Sequence, residues 1–448
     1  MNKVKQLNQH YKDLRHAYGV EVATAMVFRS IRKKYFKFTS FSKSQPNAPV
    51  GKLPNVDNIF YSRFPNLTPI LPALPKLNSE RKINLMALSI NGKHIFGGTA
   101  TALVFAMKLS IQMNIKLRLV CTDYPGTLDN IEEFLKEYDI NFDLKNLELF
   151  NAAPRSIYSP VHLEVRKDDI FIATTWWSAY LCEKLQPSTK FIYFVQDYEP
   201  IFSPNGDEQI LANGSYLLKD RFIPIVNTKI LLDYFVQNNY EEFKKYNLSF
   251  EPSFLKSIFD IKNKKTVKQK KKKLFFYARP NVARNMYYLG LQALVKAFED
   301  NILDLNEWEI FFAGGETPEL EIVKKLNSKN LGKMNLREYG KFAANVDLAI
   351  SLMMAPHPSY PPLEMAASGA IVVTTLYENK VDLSMYSKNI LVAEYTIDSI
   401  LSKIKEALRI DEKTRQINFQ QNNILSNWDE SFKNTIPYIL KLYNNANY

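Results

Sequence analysis

Cysteine and histidine are scarce in this chain, two and five among 448 residues. Cys121 and Cys182 each lie in an apolar stretch, LRLVCTD and AYLCEKL, and read as buried, reduced thiols of a reducing compartment. Two cysteines and scattered histidines do not supply a zinc site, so no structural metal is expected. No run of 18 apolar residues occurs, which excludes a helical membrane span. The N-terminal MNKVKQLNQHYKDLRH lacks the apolar core of a signal peptide, so the expected location is the cytoplasm.

What is plentiful is positive charge and apolar residues. The net charge is +12, and 46% of residues are hydrophobic, enough to bury full cores in two or three domains. Much of the basic excess falls in Arg29 to Lys37 and in the run Lys262 to Lys273. Neither carries the interleaved aromatics of a single-strand binder, so nucleic acid is not an expected partner. Phosphorylated substrates and anionic membranes remain.

Residues 11–37 read as a helix, with Val20, Ala23, Val27 and Ile31 on one stripe. Arg29, Arg32, Lys33, Lys34 and Lys37 crowd its C-terminal end, where cations suit the helix dipole. Two uses fit: a helix docked on the body, or a peripheral contact with anionic lipid at the inner face of the plasma membrane. Seven prolines between Pro46 and Pro75 then predict an extended tether.

From residue 81 short apolar runs alternate with helical segments. Strands are predicted over 83–89, 117–123, 147–152, 169–175, 191–197 and 221–227, with helices including 98–113, 127–138 and 207–219. After a break over 251–273, strands follow over 274–278, 308–314, 346–352, 370–375 and 389–393. Near-continuous apolar strands separated by helices indicate parallel sheets covered on both faces. The fold class is therefore α/β, with two doubly wound Rossmann-like domains and a ligand cleft between their strand ends. The boundaries read as 1–80 for a helical extension and tether, 81–260, 261–425, and a closing helix over 426–448 that returns to the first domain.

Four segments at strand ends carry possible chemistry. In INGKHIFGGT the glycines Gly97 and Gly98, with His94 and Thr99, form either a plain turn or a helix N-terminus open to an anion or a sugar oxygen. In QDYEP, Asp197 either caps the next turn or meets an acceptor hydroxyl as a base. In YARPNVARN, Arg279 and Arg284 either lie on the surface or converge on one diphosphate. In PHPSYPPLEMAASG, His357, Ser359 and Tyr360 precede a helix predicted to begin near Pro362, and Glu364 in its first turn suits nucleoside hydroxyls or the helix dipole.

The last two segments resemble the donor site of glycosyltransferase family 4, a retaining GT-B family. That family carries an arginine and a lysine five apart on the diphosphate; here both positions are arginine. Its second conserved glutamate matches Glu364 ahead of MAASG, and Pro356 stands where the first would be. SINGKHIFGGTATAL, FVQDYEPIFSPNGDEQILANGSY, YARPNVARNMYYLG and APHPSYPPLEMAASG are similar to the rhamnosyltransferases of S-layer glycan and rhamnose-rich surface polysaccharide. The resemblance implies dTDP-L-rhamnose as donor, a growing, lipid-linked glycan as acceptor, and no metal or other cofactor. On it, Arg279, Arg284 and Asp197 are catalytic, His357, Ser359, Tyr360 and Glu364 hold the donor, and His94, Gly97, Gly98 and Thr99 form an acceptor or phosphate loop. A non-catalytic sugar-nucleotide-binding or assembly subunit is the alternative. One tension stands: if NLREYG is a strand ending at Tyr339, only GKFAAN connects it to the strand from Val346, too short for a parallel crossover.

Overall fold

The computed structural model describes residues 56–444 except 91–94, 96, 130, 186–189, 260–270, 319–320 and 333. The basic segment 11–37, His94 and most of the lysine run lie outside the described residues.

The first half contributes β1 (Leu71–Ala73), β2 (Lys82–Ala87), β3 (Lys116–Cys121), β4 (Leu147–Asn151), β5 (His162–Glu164), β6 (Ile170–Ala173), β7 (Phe191–Val195), β8 (Phe222–Asn227) and β9 (Ser249–Phe250). The second contributes β10 (Lys272–Tyr277), β11 (Trp308–Ala313), β12 (Lys329–Asn330), β13 (Leu348–Ile350), β14 (Ile371–Thr375) and β15 (Ile390–Ala393). The sheets run β4-β3-β2-β6-β7-β8-β9 and β12-β11-β10-β13-β14-β15. All their described pairings are parallel, and both reverse direction beside their first strand, the doubly wound order. Strands β6, β7 and β8 are buried along their whole length, as a sheet covered on both faces requires.

One tension is resolved and two expectations are corrected. NLREYG is not a strand. Asn335 caps a helix over Leu336–Ala343 and Glu338 returns the bond, a capping box that the sequence N-x-x-E encodes. Leu336, Gly340 and Ala343 are buried on one stripe, and the helix supplies the crossover from β12 to β13. The proline-rich stretch is not an extended tether over 56–80. It forms a helix over Val56–Arg63, a 3-10 turn over Pro65–Leu67 and β1 against β5, with Phe64, Leu67 and Ile70 buried. Proline is tolerated where it removes no needed donor, at the start of a helical turn and on an edge strand. Buried Arg155 fastens this stretch: it donates to Asn66 O and Thr68 O, each at 2.7 Å, and to Thr122 O and Ala152 O of the body. The break after β9 also ends sooner than expected, because Lys272 and Lys273 already pair with β11.

The closing helices, Trp428–Ser431 and Thr435–Asn444, lie against the first half. Phe432 packs its ring on Phe105 and Phe250 at 5.2 and 5.1 Å, and the Tyr443 hydroxyl donates to Lys190 O.

Candidate active site

Strands β10 and β13 are neighbours flanking the reversal point of the second sheet. The loops leaving them therefore emerge side by side. The loop after β10 carries Arg279 and Arg284; the loop after β13 carries His357 and Ser359 and leads into a helix that begins at Tyr360. Met354 N donates to Arg284 O at 2.8 Å and the Asn285 amide to Leu352 O, so the two loops are tied together. Opposite them stand Gln196 and Asp197 after β7, and Asn227 at the end of β8.

Arg284 reaches across this gap. Its Nε lies 4.0 Å from Asp197 Oδ2, and its guanidinium stacks 3.8 Å above the Phe202 ring centroid. That Nε is buried and has no hydrogen-bond partner. Arg279 is close enough for the two positive charges to oppose each other, and its guanidinium bonds the Tyr277 hydroxyl. Gly314, at φ +113, makes room for this pair: a Cβ there would sit 2.8 Å from the Tyr277 ring and 3.0 Å from Arg279 Cγ.

Asp197 is buried, accepts a bond from Tyr198 N at 2.8 Å within its own turn, and lies in the cleft opposite Arg284. Burial pushes its carboxyl up to about 6, opposed first by Arg284. Two residues on, burial pushes Glu199 up to about 8; its Oε2 accepts Trp176 N at 2.6 Å.

His357 is buried and accepts Ser359 N at its Nδ1, 2.9 Å away. Burial and then Lys380 and Arg284 hold it down to about 3, so the ring is neutral and its proton sits on Nε2. Nε2 is buried without a partner. Ser359 takes φ 71, ψ 152, a conformation that side chains rarely adopt, at the entry to the helix over Tyr360–Ala367. The helix starts two residues earlier than expected, with Pro361 and Pro362 inside its first turn. The prolines bring no N–H and Ser359 spends its own on His357, so this terminus offers an anion little beyond Tyr360 N–H.

Two expected donor-site residues are occupied otherwise. The Tyr360 hydroxyl is bound across the gap: it lies 2.8 Å from Thr101 Oγ1, accepts from Asn227 Nδ2 at 2.8 Å, and donates to Gln196 Oε1 at 3.4 Å. It latches the two halves together. Glu364 falls in the second turn of its helix, not the first, and the Tyr339 hydroxyl bonds its carboxyl. Burial pushes Glu364 up to about 7. A small cavity between the halves lies here, lined by Gly97, Thr101, Tyr138, Phe254, Tyr360 and Glu364.

The glycine loop packs against Gln196. Gly98 O accepts the Gln196 amide, and a Cβ on Gly98 would meet that amide at 3.1 Å. Gly97, at φ +54, accepts Thr101 Oγ1 through its carbonyl; Thr99 is half-buried beside it. Among the described residues no cluster of His, Cys, Asp and Glu is arranged to hold a metal. Sequence reasoning missed Tyr277, Glu199 and Lys380. Glu199 was within reach, since it shares QDYEP with Asp197.

Two parallel sheets of the same reversing order, meeting at a cleft of strand-end loops, are the GT-B fold of glycosyltransferases. Solved structures agree on the fold. A glycosyltransferase from Rickettsia africae superposes with a TM-score of 0.52 at 13% identity, over 82% of this chain and 100% of that one. Anabaena Alr3699/HepE, solved with UDP and glucose, gives 0.51 at 13% identity, over 82% and 98%. The sequence then places the chain more narrowly: it belongs to the WsaF family of glycosyltransferases. The family's N-terminal domain matches residues 82–229 and its C-terminal domain residues 272–405. The O-antigen biosynthesis protein RfbC of Myxococcus xanthus is 33% identical over 241 residues, 54% of this chain. The chain spans only 18% of that relative's length.

Proposed function

We propose that this chain is a retaining rhamnosyltransferase, moving L-rhamnose from dTDP-L-rhamnose to a growing surface-polysaccharide glycan at the cytoplasmic face of the membrane. The observation that carries this reading is the Arg279–Arg284 pair in the loop after β10, with Arg284 facing Asp197 across the cleft. Fixed guanidinium groups in a buried crevice offset the charge that grows on a departing nucleoside diphosphate. His357 Nε2–H, buried and unpartnered, supplies a neutral donor for a phosphate or sugar oxygen. From the other half, Asp197 meets the acceptor hydroxyl; pushed up to about 6, it is both ionised at neutral pH and basic enough to accept a proton. On an alternative route the leaving phosphate itself takes the acceptor proton on the same face, and no protein nucleophile is invoked.

The S-layer and O-antigen setting rests on the family and on RfbC, and the basic segment 11–37 would meet anionic lipid there. The donor needs no metal on this reading, so chelator leaves the rate unchanged. The experiment is product analysis by mass after mixing the protein with dTDP-L-rhamnose and a rhamnose-terminated acceptor. A mass increase of one deoxyhexose supports the proposal. Binding of dTDP with no product supports a non-catalytic sugar-nucleotide-binding subunit.

A further inference from the structure

Lys380, in the connection after β14, belongs to none of the sequence motifs. It is fully buried, at 0% exposure. Its Nζ donates to Met353 O at 2.9 Å and to His357 O at 3.4 Å, both neutral carbonyls. Among the described residues no carboxylate lies within ion-pair distance of it, and the acid that acts on it is Asp197. A buried ammonium lacking a close counter-ion costs several kcal/mol, and burial accordingly pushes Lys380 down to about 7.

The surroundings locate this charge. Asp197 is drawn toward its ionised form by both Arg284 and Lys380, while both cations oppose protonation of His357. One acid from the first half thus answers two cations from the second. It answers them poorly. The contact with Arg284 Nε is 4.0 Å, beyond hydrogen-bond range, and Arg284 Nε and His357 Nε2 remain buried donors with no acceptor. A buried donor without an acceptor costs free energy that an added acceptor oxygen recovers.

We propose that Arg284, Lys380 and His357 Nε2 form one anion site, that Asp197 occupies it as an internal counter-ion in the unliganded chain, and that the donor's diphosphate displaces Asp197. This rests on the nucleotide-sugar reading above. A diphosphate brings more charge and more acceptor oxygens than one carboxylate, so it satisfies the donors that Asp197 leaves open. Displacement has a consequence for order. Until the donor binds, Asp197 is engaged with the cations; once it binds, the carboxylate is released toward the acceptor beside a fresh negative charge, which makes it a stronger base.

Calorimetric titration with dTDP and with inorganic pyrophosphate tests the site in the full chain, its Lys380→Met variant and its Asp197→Asn variant. Lys380→Met is expected to weaken dTDP binding roughly tenfold, about one charge interaction. Asp197→Asn is expected to tighten it by a similar factor while slowing turnover. Structural damage only weakens binding, so opposite signs separate an anion site from a lysine that merely ties loops. Unchanged affinity in Lys380→Met, or unchanged or weaker affinity in Asp197→Asn, overturns the proposal. Lys380→Gln and Asp197→Ser are read the same way if the first variants do not fold. If no nucleoside diphosphate binds the unsubstituted chain, the nucleotide-sugar reading fails; pyrophosphate binding with these two signs would still uphold the anion site.

Discussion

The two halves of the molecule are built alike and charged oppositely where they meet. Each is a parallel sheet of the same reversing order, and both send non-glycine residues into conformations usually left to glycine at the entries to cleft helices: Thr228 at φ 76 in the first half, Met286 at φ 45 and Ser359 at φ 71 in the second. The first half brings the ionised Asp197 to the cleft, with Glu199, pushed up to about 8 and so protonated at neutral pH, two residues on; the second brings Arg279, Arg284 and Lys380. The fold thus fixes where loops converge and leaves the chemistry to the residues they carry. Strained entries on both sides show that helix placement at the cleft is held by the surrounding packing, since local preference opposes it.

The sharpest way to break the asymmetry is to remove a cation. Arg284→Ala is expected to lower turnover by about 100-fold or more, the usual loss when charge stabilisation at a developing anion is removed. Steady-state kinetics with the nucleotide sugar measures it. An unchanged rate would sink the charge-offset argument.

Next comes the acidic side. Asp197 must be ionised to act as a base, so kcat/KM falls below about pH 6, tenfold per pH unit. A pH–rate profile should show this limb. In Asp197→Asn the rate is lower and the limb is gone; a limb that persists assigns it to another group.

Stability tests the cost of the positive side. Burial brings Lys380 from 10.5 down to about 7 in the folded chain. Between those values the unfolded chain holds a proton that the folded chain lacks, so the contribution of this lysine to stability rises with pH across that window and is lowest below it. Lys380→Met should therefore raise Tm more at pH 6 than at pH 9.5, by roughly 3–6 °C at the lower pH. A gain that is equal at both values contradicts the buried, uncompensated ammonium.

How much of this the sequence disclosed depended on the range of the interaction. Arg279 and Arg284 were readable because both lie on one loop and their spacing is local. The doubly wound class followed from apolar runs, and the crossover helix was present in the capping signature of Asn335 and Glu338, hidden by a strand-like reading of NLREYG. Phe64, Leu67 and Ile70 were obscured by the prolines around them. Lys380 gave no signal, since a lysine in a polar loop looks the same whether it is solvated or buried. The bonds of the Tyr360 hydroxyl were unreadable for a similar reason: its partners Asn227 and Thr101 lie 133 and 259 positions away.

Tyr360 gives the smallest effect and the cleanest contrast with Arg284. If its hydroxyl gripped the diphosphate, Tyr360→Phe would slow turnover as a lost charge-stabilising group does. Because the hydroxyl is bound to Thr101, Asn227 and Gln196 of the opposite half, its loss should act on closure of the cleft instead. Asn227 Nδ2 then loses its closest acceptor, at a cost of about 1 kcal/mol and roughly 2 °C in Tm. Thr101 still has Gly97 O to bond, which limits the damage. Turnover at saturating donor should stay within about threefold of the unsubstituted chain, since no charge stabilisation is removed. A hundredfold fall in turnover with an unchanged Tm would move Tyr360 from the latch to the phosphate.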